Sequence, residues 1–328
     1  MVKNKKTLII LIAVIGILPL IIRSDSFHNI LVLLIIYATL GEAWNIVTGF
    51  AGQISFGHAA FFGIGAYASS VLFYKFDISP WIGMLVGGIL AALVALIISY
   101  PTFRLKGSYF AIATLAVAEI IKQLFVSWDF VEGATGISLP IVNDSWLCME
   151  FHSTKLPYIY IALGLFAIVI FLCSYIENSK MGFYLKAIRE SHEVAESIGI
   201  NTTNYKTAAM VISAFISALA GSIYAQYVLY IDPFMLFTLD ISIKIVLLTV
   251  LGGIGNVYGP LIGASILIPL SEITRVKLGG TGRGIDLMIF GLLVIVVACY
   301  QPKGIIGLVD KLQRKAKKAG EGKVEADS

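Results

Sequence analysis

GFAGQISFGHAAFFGIGAY, residues 49–67, sets five glycines and the polar side chains of Gln53, Ser55 and His58 inside an otherwise apolar and aromatic run. Each glycine weakens an isolated helix by up to about 1 kcal/mol relative to alanine. The density of Gly49, Gly52, Gly57, Gly63 and Gly65 therefore argues for close packing or for an unwound section. Irregular backbone at membrane depth survives only where protein encloses it or where it lines a watery cavity. Gln53, Ser55 and His58 would then present polar groups inward. Glu42 and His58 flank the polar stretch Asn45 to Ser55, and two roles stay open for them: lining a pathway, or closing an internal hydrogen bond. Glu42, Asn45, Gln53, Ser55 and His58 are the candidate translocation path.

The sequence around this stretch supplies the membrane. Hydrophobic residues make up 58% of the 328 residues and charged residues only 13%, an excess that a soluble core does not absorb. The apolar residues fall in long blocks rather than in a two- or 3.6-residue alternation, so many segments need lipid or other helices on every side. A crossing takes about 20 apolar residues, with shorter ones tolerated where the bilayer thins. The sequence predicts an all-α polytopic membrane protein with ten spans near 7–22, 30–48, 54–74, 81–100, 109–128, 157–177, 207–228, 241–251, 257–270 and 285–300. Arg23-Ser24-Asp25-Ser26 follows the first block with no small-x-small cleavage site, so that block is expected to be retained. Gly252, Gly253 and Gly255 interrupt the eighth and ninth spans, where a re-entrant or broken pair competes with two full crossings.

With the N-terminus inside, the cytoplasmic segments hold 16 Lys and Arg against 6 outside, a bias that favours both termini in the cytoplasm. The same clustering in loops and tail accounts for the net charge of +4 without a nucleic-acid partner. Ten spans are compatible with an inverted five-plus-five arrangement, a common transporter design. Gly83, Gly87, Ala91, Ala95 and Ser99 recur every fourth residue and predict a close helix contact along span four. Ala214, Ser217, Ala218 and Gly221 repeat the device in span seven.

Chemistry other than transport finds little support. No G-x-x-x-x-G-K-S/T phosphate loop is present, and nothing reads as a nucleophile elbow or a metal-binding helix. Cys148, Cys173 and Cys299 are scattered and suggest no disulfide framework. Ionisable residues inside spans are costly, about 2.5–3.5 kcal/mol at a helix centre on the insertion scale. Glu119 and Lys122 share one helical face and can neutralise each other, structurally or in a path. Lys244 lies near a span end and is expected to snorkel.

The loop near 178–206 carries a second signal. From Lys186 to Ile198 a single amphipathic helix is expected, with Ala187, Ser191, Val194, Ala195 and Ile198 on one face and Arg189, Glu190, Glu193 and Glu196 on the other. Gly199 supplies a C-terminal cap. Surface-lying helices favour basic polar faces, and this one carries three glutamates, so a cytoplasmic protein partner fits it better than a membrane surface.

These residues resemble the permease subunits of ABC importers for branched-chain amino acids, of the LivM type. The likeness runs from about Tyr37 to Leu308 and rests on GFAGQISFGHAAFFGIGAY, on LKAIRESHEVAESIGINTTNYK and on LGGIGNVYGPLIGA. In ABC importers the coupling loop reads E-A-A-x-x-x-G, which Glu193, Ala195 and Gly199 match and Val194 departs from while staying apolar. The resemblance implies a coupling element made of Ala187, Val194, Ala195, Ile198, Glu193 and Gly199. It also implies a second, related permease subunit, two ATP-binding subunits, an extracytoplasmic substrate-binding protein and a place in a bacterial or archaeal cytoplasmic membrane. The chain would be no enzyme and would need no cofactor of its own, ATP being bound by the partners. Residues 1–308 would form the permease domain and 309–328 a charged, disordered cytoplasmic tail. Leucine, isoleucine and valine are the expected solutes, with urea or another small amide as the alternative and an ATP-independent secondary transporter as a reading from another class.

Overall fold

Backbones separated by glycine or alanine approach more closely than those separated by larger side chains, and the centre of this protein is built on that difference. The computed structural model describes residues 5–105, 107–140, 144–151 and 154–277, with residues 288, 291, 292 and 304–307. Its helices are α1 (Lys5–Ile21), α2 (Asp25–Asn45), α3 (His58–Phe76), α4 (Pro80–Thr102), α5 (Ser108–Val126) and α6 (Leu156–Glu177). They continue with α7 (Lys180–Glu190), α8 (His192–Ser197), α9 (Thr202–Val228), α10 (Pro233–Leu236), α11 (Leu239–Gly252) and α12 (Gly259–Lys277). Seven stretches are long and apolar enough to cross a membrane, and two shorter apolar helices, Ile10–Ile21 and Gly259–Thr274, accompany them. The first nine expected spans therefore fall on described helices, while the tenth, 285–300, and the tail 309–328 lie outside the described residues apart from 288, 291 and 292.

Helices α3, α4 and α9 form the tightest layer. A Cβ placed on Gly65 would stand 2.0 Å from the carbonyl oxygen of Ala218, and one on Gly221 the same distance from that of Phe62. Only glycine admits such contacts. On the other side of α3, Gly87 faces Gly65 and Gly83 faces Ser69. The four-residue stripe expected on α4 is buried throughout, from Gly83 to Ser99, and so are Ala214, Ser217, Ala218 and Gly221 on α9. The opposite face of α4 leaves Ile82, Leu85, Ile89, Leu93 and Ile97 exposed. That division suits a helix with protein on one side and lipid on the other.

Contacts between α3 and α9 advance together, from His58 with Ser213 to Gly65 with Ser222, so the two helices run in the same direction. The connection after α2, the α4–α5 turn, the α7–α8 segment and the α11–α12 turn consequently gather at one end. Gly52 and Gly255 both adjoin Arg189 there, and Gln53, Arg104, Ser191 and Lys206 line a common cleft of about 600 Å³. At the opposite end, β1 (Ile137–Ser138) pairs antiparallel with β2 (Tyr230–Ile231), and Lys75 pairs with Glu132 at 2.9 Å. Glu119 and Lys122 meet at 3.1 Å, with Glu119 largely exposed on the outer face of α5.

Candidate functional site

The break expected in residues 49–67 is present and is confined to their first half. Helix α2 continues into a π-helical turn, Ile46–Phe50, and the chain then leaves helical geometry until α3 begins at His58, four residues after the expected start of the span. A π turn inserts one residue into the helical ladder and offsets the hydrogen bonds that follow it. Buried backbone groups freed in this way need partners, and side chains from four other elements supply them.

Asn45, the last residue of α2, works in the other direction and binds the backbone of the α11–α12 turn. It is fully buried, its Oδ1 accepts from the Gly255 amide at 2.8 Å, and its Nδ2 donates to the Asn256 carbonyl at 3.1 Å. Gly49 is required beside it, because a Cβ there would stand 1.9 Å from that same Oδ1. Trp44 donates through Nε1 to the Ser55 carbonyl at 2.7 Å, and Thr48 donates through Oγ1 to that of Gln53 at 2.8 Å. From α5, Thr114 Oγ1 accepts from the Phe56 amide at 3.0 Å, while Ser242 on α11 donates to the Phe56 carbonyl at 2.7 Å. Ser213 on α9 donates to the Ala43 carbonyl at 2.6 Å, which leaves its oxygen to accept from His58 Nε2 at 2.7 Å and fixes the imidazole proton on that nitrogen.

The five pathway candidates are thus brought near one another but into different work. Asn45 and His58 cross-link helices. Ser55 is buried and its hydroxyl accepts from the Gly57 amide at 3.2 Å, as in a local turn cap. Gln53 alone reaches the cleft at the loop end. Glu42 is fully buried beside Cys173 and Asn45, and neither of its carboxyl oxygens has a hydrogen-bond partner among the described residues. Of the two residues whose roles the sequence left open, His58 closes an internal hydrogen bond with Ser213.

The loop 178–206 departs from its expected form. Ser191 adopts an extended conformation, φ −157° and ψ 115°, and its hydroxyl accepts from the Val194 amide at 3.4 Å. One helix thereby becomes two, because serine competes with the helical ladder by capping the next turn. The expected single face is divided by that break. Ala187 is half-buried and Ala195 is only 1% exposed, whereas Val194 and Ile198 are 60% and 69% exposed and Glu193 is exposed with them. Ala195 packs inside its own chain, a correction to its expected place on an outward face. Gly199 does terminate the helix. It sits at φ +85°, and the Ile200 amide reaches back to the Ala195 carbonyl at 3.1 Å, the 6→1 bond of a Schellman ending.

Sequence reading gave no role to Arg189, which stood on the polar face of the expected helix. In the structure its Nη1 donates to the Gly49 carbonyl at 2.6 Å, joining α7 to the π turn. Asn256, Thr114, Ser213 and Ser242 were also missed. A lone hydroxyl in an apolar span signals only that some acceptor is near, and nothing in the chain order names which one.

Stacked apolar helices, glycine-mediated backbone contacts and an enclosed helix break define a multi-pass α-helical membrane protein. The chain belongs to the family described as branched-chain amino acid transport system / permease component, whose model matches residues 26–298. It is 25% identical over 328 residues to the high-affinity branched-chain amino acid transport system permease protein LivM of Escherichia coli, covering 93% of this chain and 75% of that one. To the corresponding LivH protein of Salmonella typhimurium it is 27% identical over 288 residues, covering 83% of this chain and 91% of the relative. Among solved structures, PsaBC from Streptococcus pneumoniae in complex with Fab is 15% identical with a TM-score of 0.43, covering 86% of this chain and 94% of that one, a likeness too low to carry a fold assignment.

Proposed function

We propose that this chain is the transmembrane permease subunit of an ABC importer for leucine, isoleucine and valine, driven by ATP hydrolysis on separate subunits. The family match across residues 26–298 carries the reading. Similarity to both LivM and LivH supports a second, related permease as its partner, and two ATP-binding subunits and an extracytoplasmic binding protein complete the assembly in a bacterial or archaeal cytoplasmic membrane. The permease is no enzyme itself. Residues 1–308 form its domain and 309–328 a cytoplasmic tail, with ten crossings, both termini inside and an inverted five-plus-five arrangement.

The loop 178–206 is the coupling element. Val194 and Ile198 are large apolar side chains held out by a helix of six residues, with Glu193 beside them. Such a face suits a groove on an ATPase subunit, the helix-in-groove mode of recognition. Ala195 and Gly199 shape the helix from below and behind, and Ala187 belongs to the helix that carries it. The path itself is assigned to the neighbourhood of Glu42, Asn45, Gln53, Ser55 and His58, with Glu42 as its most exceptional member.

Reconstitution of the complete complex with its binding protein tests the reading. ATP-dependent leucine uptake is the expected result. ATPase activity stimulated by urea and indifferent to leucine would transfer the assignment to a small-amide importer, and uptake without ATP would transfer it to secondary transport. In intact cells an impermeant thiol reagent should modify Cys148 and spare a cysteine placed at Ser191; the reverse pattern would invert the topology.

A further inference from the structure

The geometry points to Arg189 as the positioning residue that transmits movement of the coupling loop to the broken helix between α2 and α3. The inference rests on the coupling reading above and adds to it a specific mechanical link.

Arg189 is the next-to-last residue of α7, two positions before the Ser191 break that starts α8. Arg189 is an exposed residue, but one end of its guanidinium is held by the protein. Nη1 donates to the Gly49 carbonyl at 2.6 Å, inside the π turn. Two further elements are shaped around the same side chain. A Cβ on Gly255, in the α11–α12 turn, would come within 2.6 Å of Nη1, and one on Gly52 would lie 3.0 Å from Arg189 Cγ. Both glycines have positive φ, +78° and +70°, so glycine is favoured there on backbone grounds as well. Asn45 then ties the Gly255 amide and the Asn256 carbonyl back to α2. The α7 end, the π turn and the α11–α12 turn thus meet at one guanidinium.

A hydrogen bond from a charged donor is among the stronger ones available to a protein, and a planar guanidinium holds its orientation where an ammonium swivels. The acceptor belongs to a helical segment already displaced from regular geometry, and that segment leads within a few residues to Gln53, which lines the open cleft, and to the exposed Ile54. A push or rotation delivered to α8 by a docked ATPase therefore reaches residues 46–57 through Arg189 without passing through the closely packed α3–α4–α9 layer.

The test uses the full complex and needs no transported solute. A cysteine at Ile54, which is 51% exposed, reports the conformation of the break through its rate of thiol modification, read by mass on the peptide carrying position 54. Its rate is compared with and without ATP trapped by vanadate. In the otherwise unaltered complex ATP changes that rate. Arg189→Ala should retain ATPase subunits on co-purification yet lose the ATP-dependent change by about tenfold, the shift that loss of one charge-assisted hydrogen bond gives a two-state equilibrium. Arg189→Lys should recover part of it. Gly255→Ala, which intrudes on Nη1 from the other side, should resemble Arg189→Ala, and the double variant should be no worse than either single one. An unchanged response in Arg189→Ala with normal docking would overturn the inference. Loss of docking in that variant would also overturn it, by making Arg189 part of the docking surface. Failure of the coupling reading would show separately, as normal ATPase capture by Val194→Glu, a change that does not touch Arg189.

Discussion

Residues 45–57 and residues 180–200 both interrupt helices at the same end of the bundle, and they solve the interruption in opposite ways. In the first, side chains from α5, α9 and α11 close on the exposed backbone groups, the Asn45 side chain binds the backbone of the α11–α12 turn, and Asn45, Ser55 and His58 are buried. In the second, Ser191 and Gly199 satisfy the helix ends locally and leave Val194 and Ile198 standing out. A break enclosed by its own chain is a finished part of the fold. One that is capped but still carries an uncovered apolar pair has complete local structure and, on the proposed function, a face left for another subunit.

Substitutions that treat the enclosed region as though it had room should do the most damage. Gly65→Leu would drive a side chain into the α9 backbone at Ala218, an overpacking that costs about 3 kcal/mol or more because backbone has to move. Membrane abundance and thermal stability in detergent should both collapse. Normal abundance would mean that α3 and α9 are not in contact there. Asn45→Ala removes a donor and an acceptor serving Asn256 and Gly255 and should cost about 2 kcal/mol by leaving those groups unsatisfied. It should lower the unfolding midpoint in detergent without preventing insertion, and an unchanged midpoint would show that the break is less enclosed than its hydrogen bonds indicate.

In the second region stability should be spared and assembly lost. Val194→Glu replaces an apolar contact of about 1.5–3 kcal/mol with an unpaired carboxylate, and at 60% exposure the change strains nothing within its own chain. Co-purification of ATPase subunits should fall by at least an order of magnitude while the permease remains folded. Gly199→Val should act more weakly, through the helix exit, since a residue with a Cβ resists the left-handed conformation by about 1–2 kcal/mol. Equal loss of abundance in these variants and in Gly65→Leu would abolish the distinction between the regions.

What could be read from the chain divides along the same line. Four-residue spacing on α4 announced its contact face because helix geometry is periodic, and the glycines of residues 49–67 announced a break because each carries a local conformational cost. Gly199 was legible as a cap for the same local reason. The partners of Asn45 were not, since Gly255 and Asn256 lie more than 200 residues away and no local rule connects them. The helical wheel, which assumes an uninterrupted helix, placed Arg189 on the polar face, where it is exposed, but gave no sign that its Nη1 reaches the Gly49 carbonyl. The Ser191 break removed that assumption and turned Ala195 inward, although the Ser-His-Glu-Val sequence offered a capping serine followed by an acidic first turn. The misreading thus entered where two local preferences, amphipathic continuity and serine capping, competed within four residues.

The smallest effect separates rim from centre on the coupling face. Glu193 is exposed in the first turn of α8, where its charge favours the helix N-terminus and where it can meet a cation on a docked partner. Exposed ion pairs contribute about 0.2–1 kcal/mol because water and salt screen them and because long side chains lose freedom in forming them. Glu193→Ala should therefore weaken ATPase capture only a few-fold, and the deficit should shrink as salt is raised from 50 to 500 mM, since screening shortens the reach of the charge to a few ångströms. Val194→Glu should gain nothing from the same change in salt. A Glu193→Ala defect as severe as that of Val194→Glu, and insensitive to salt, would move the centre of the interface onto the carboxylate and leave the apolar pair as its rim.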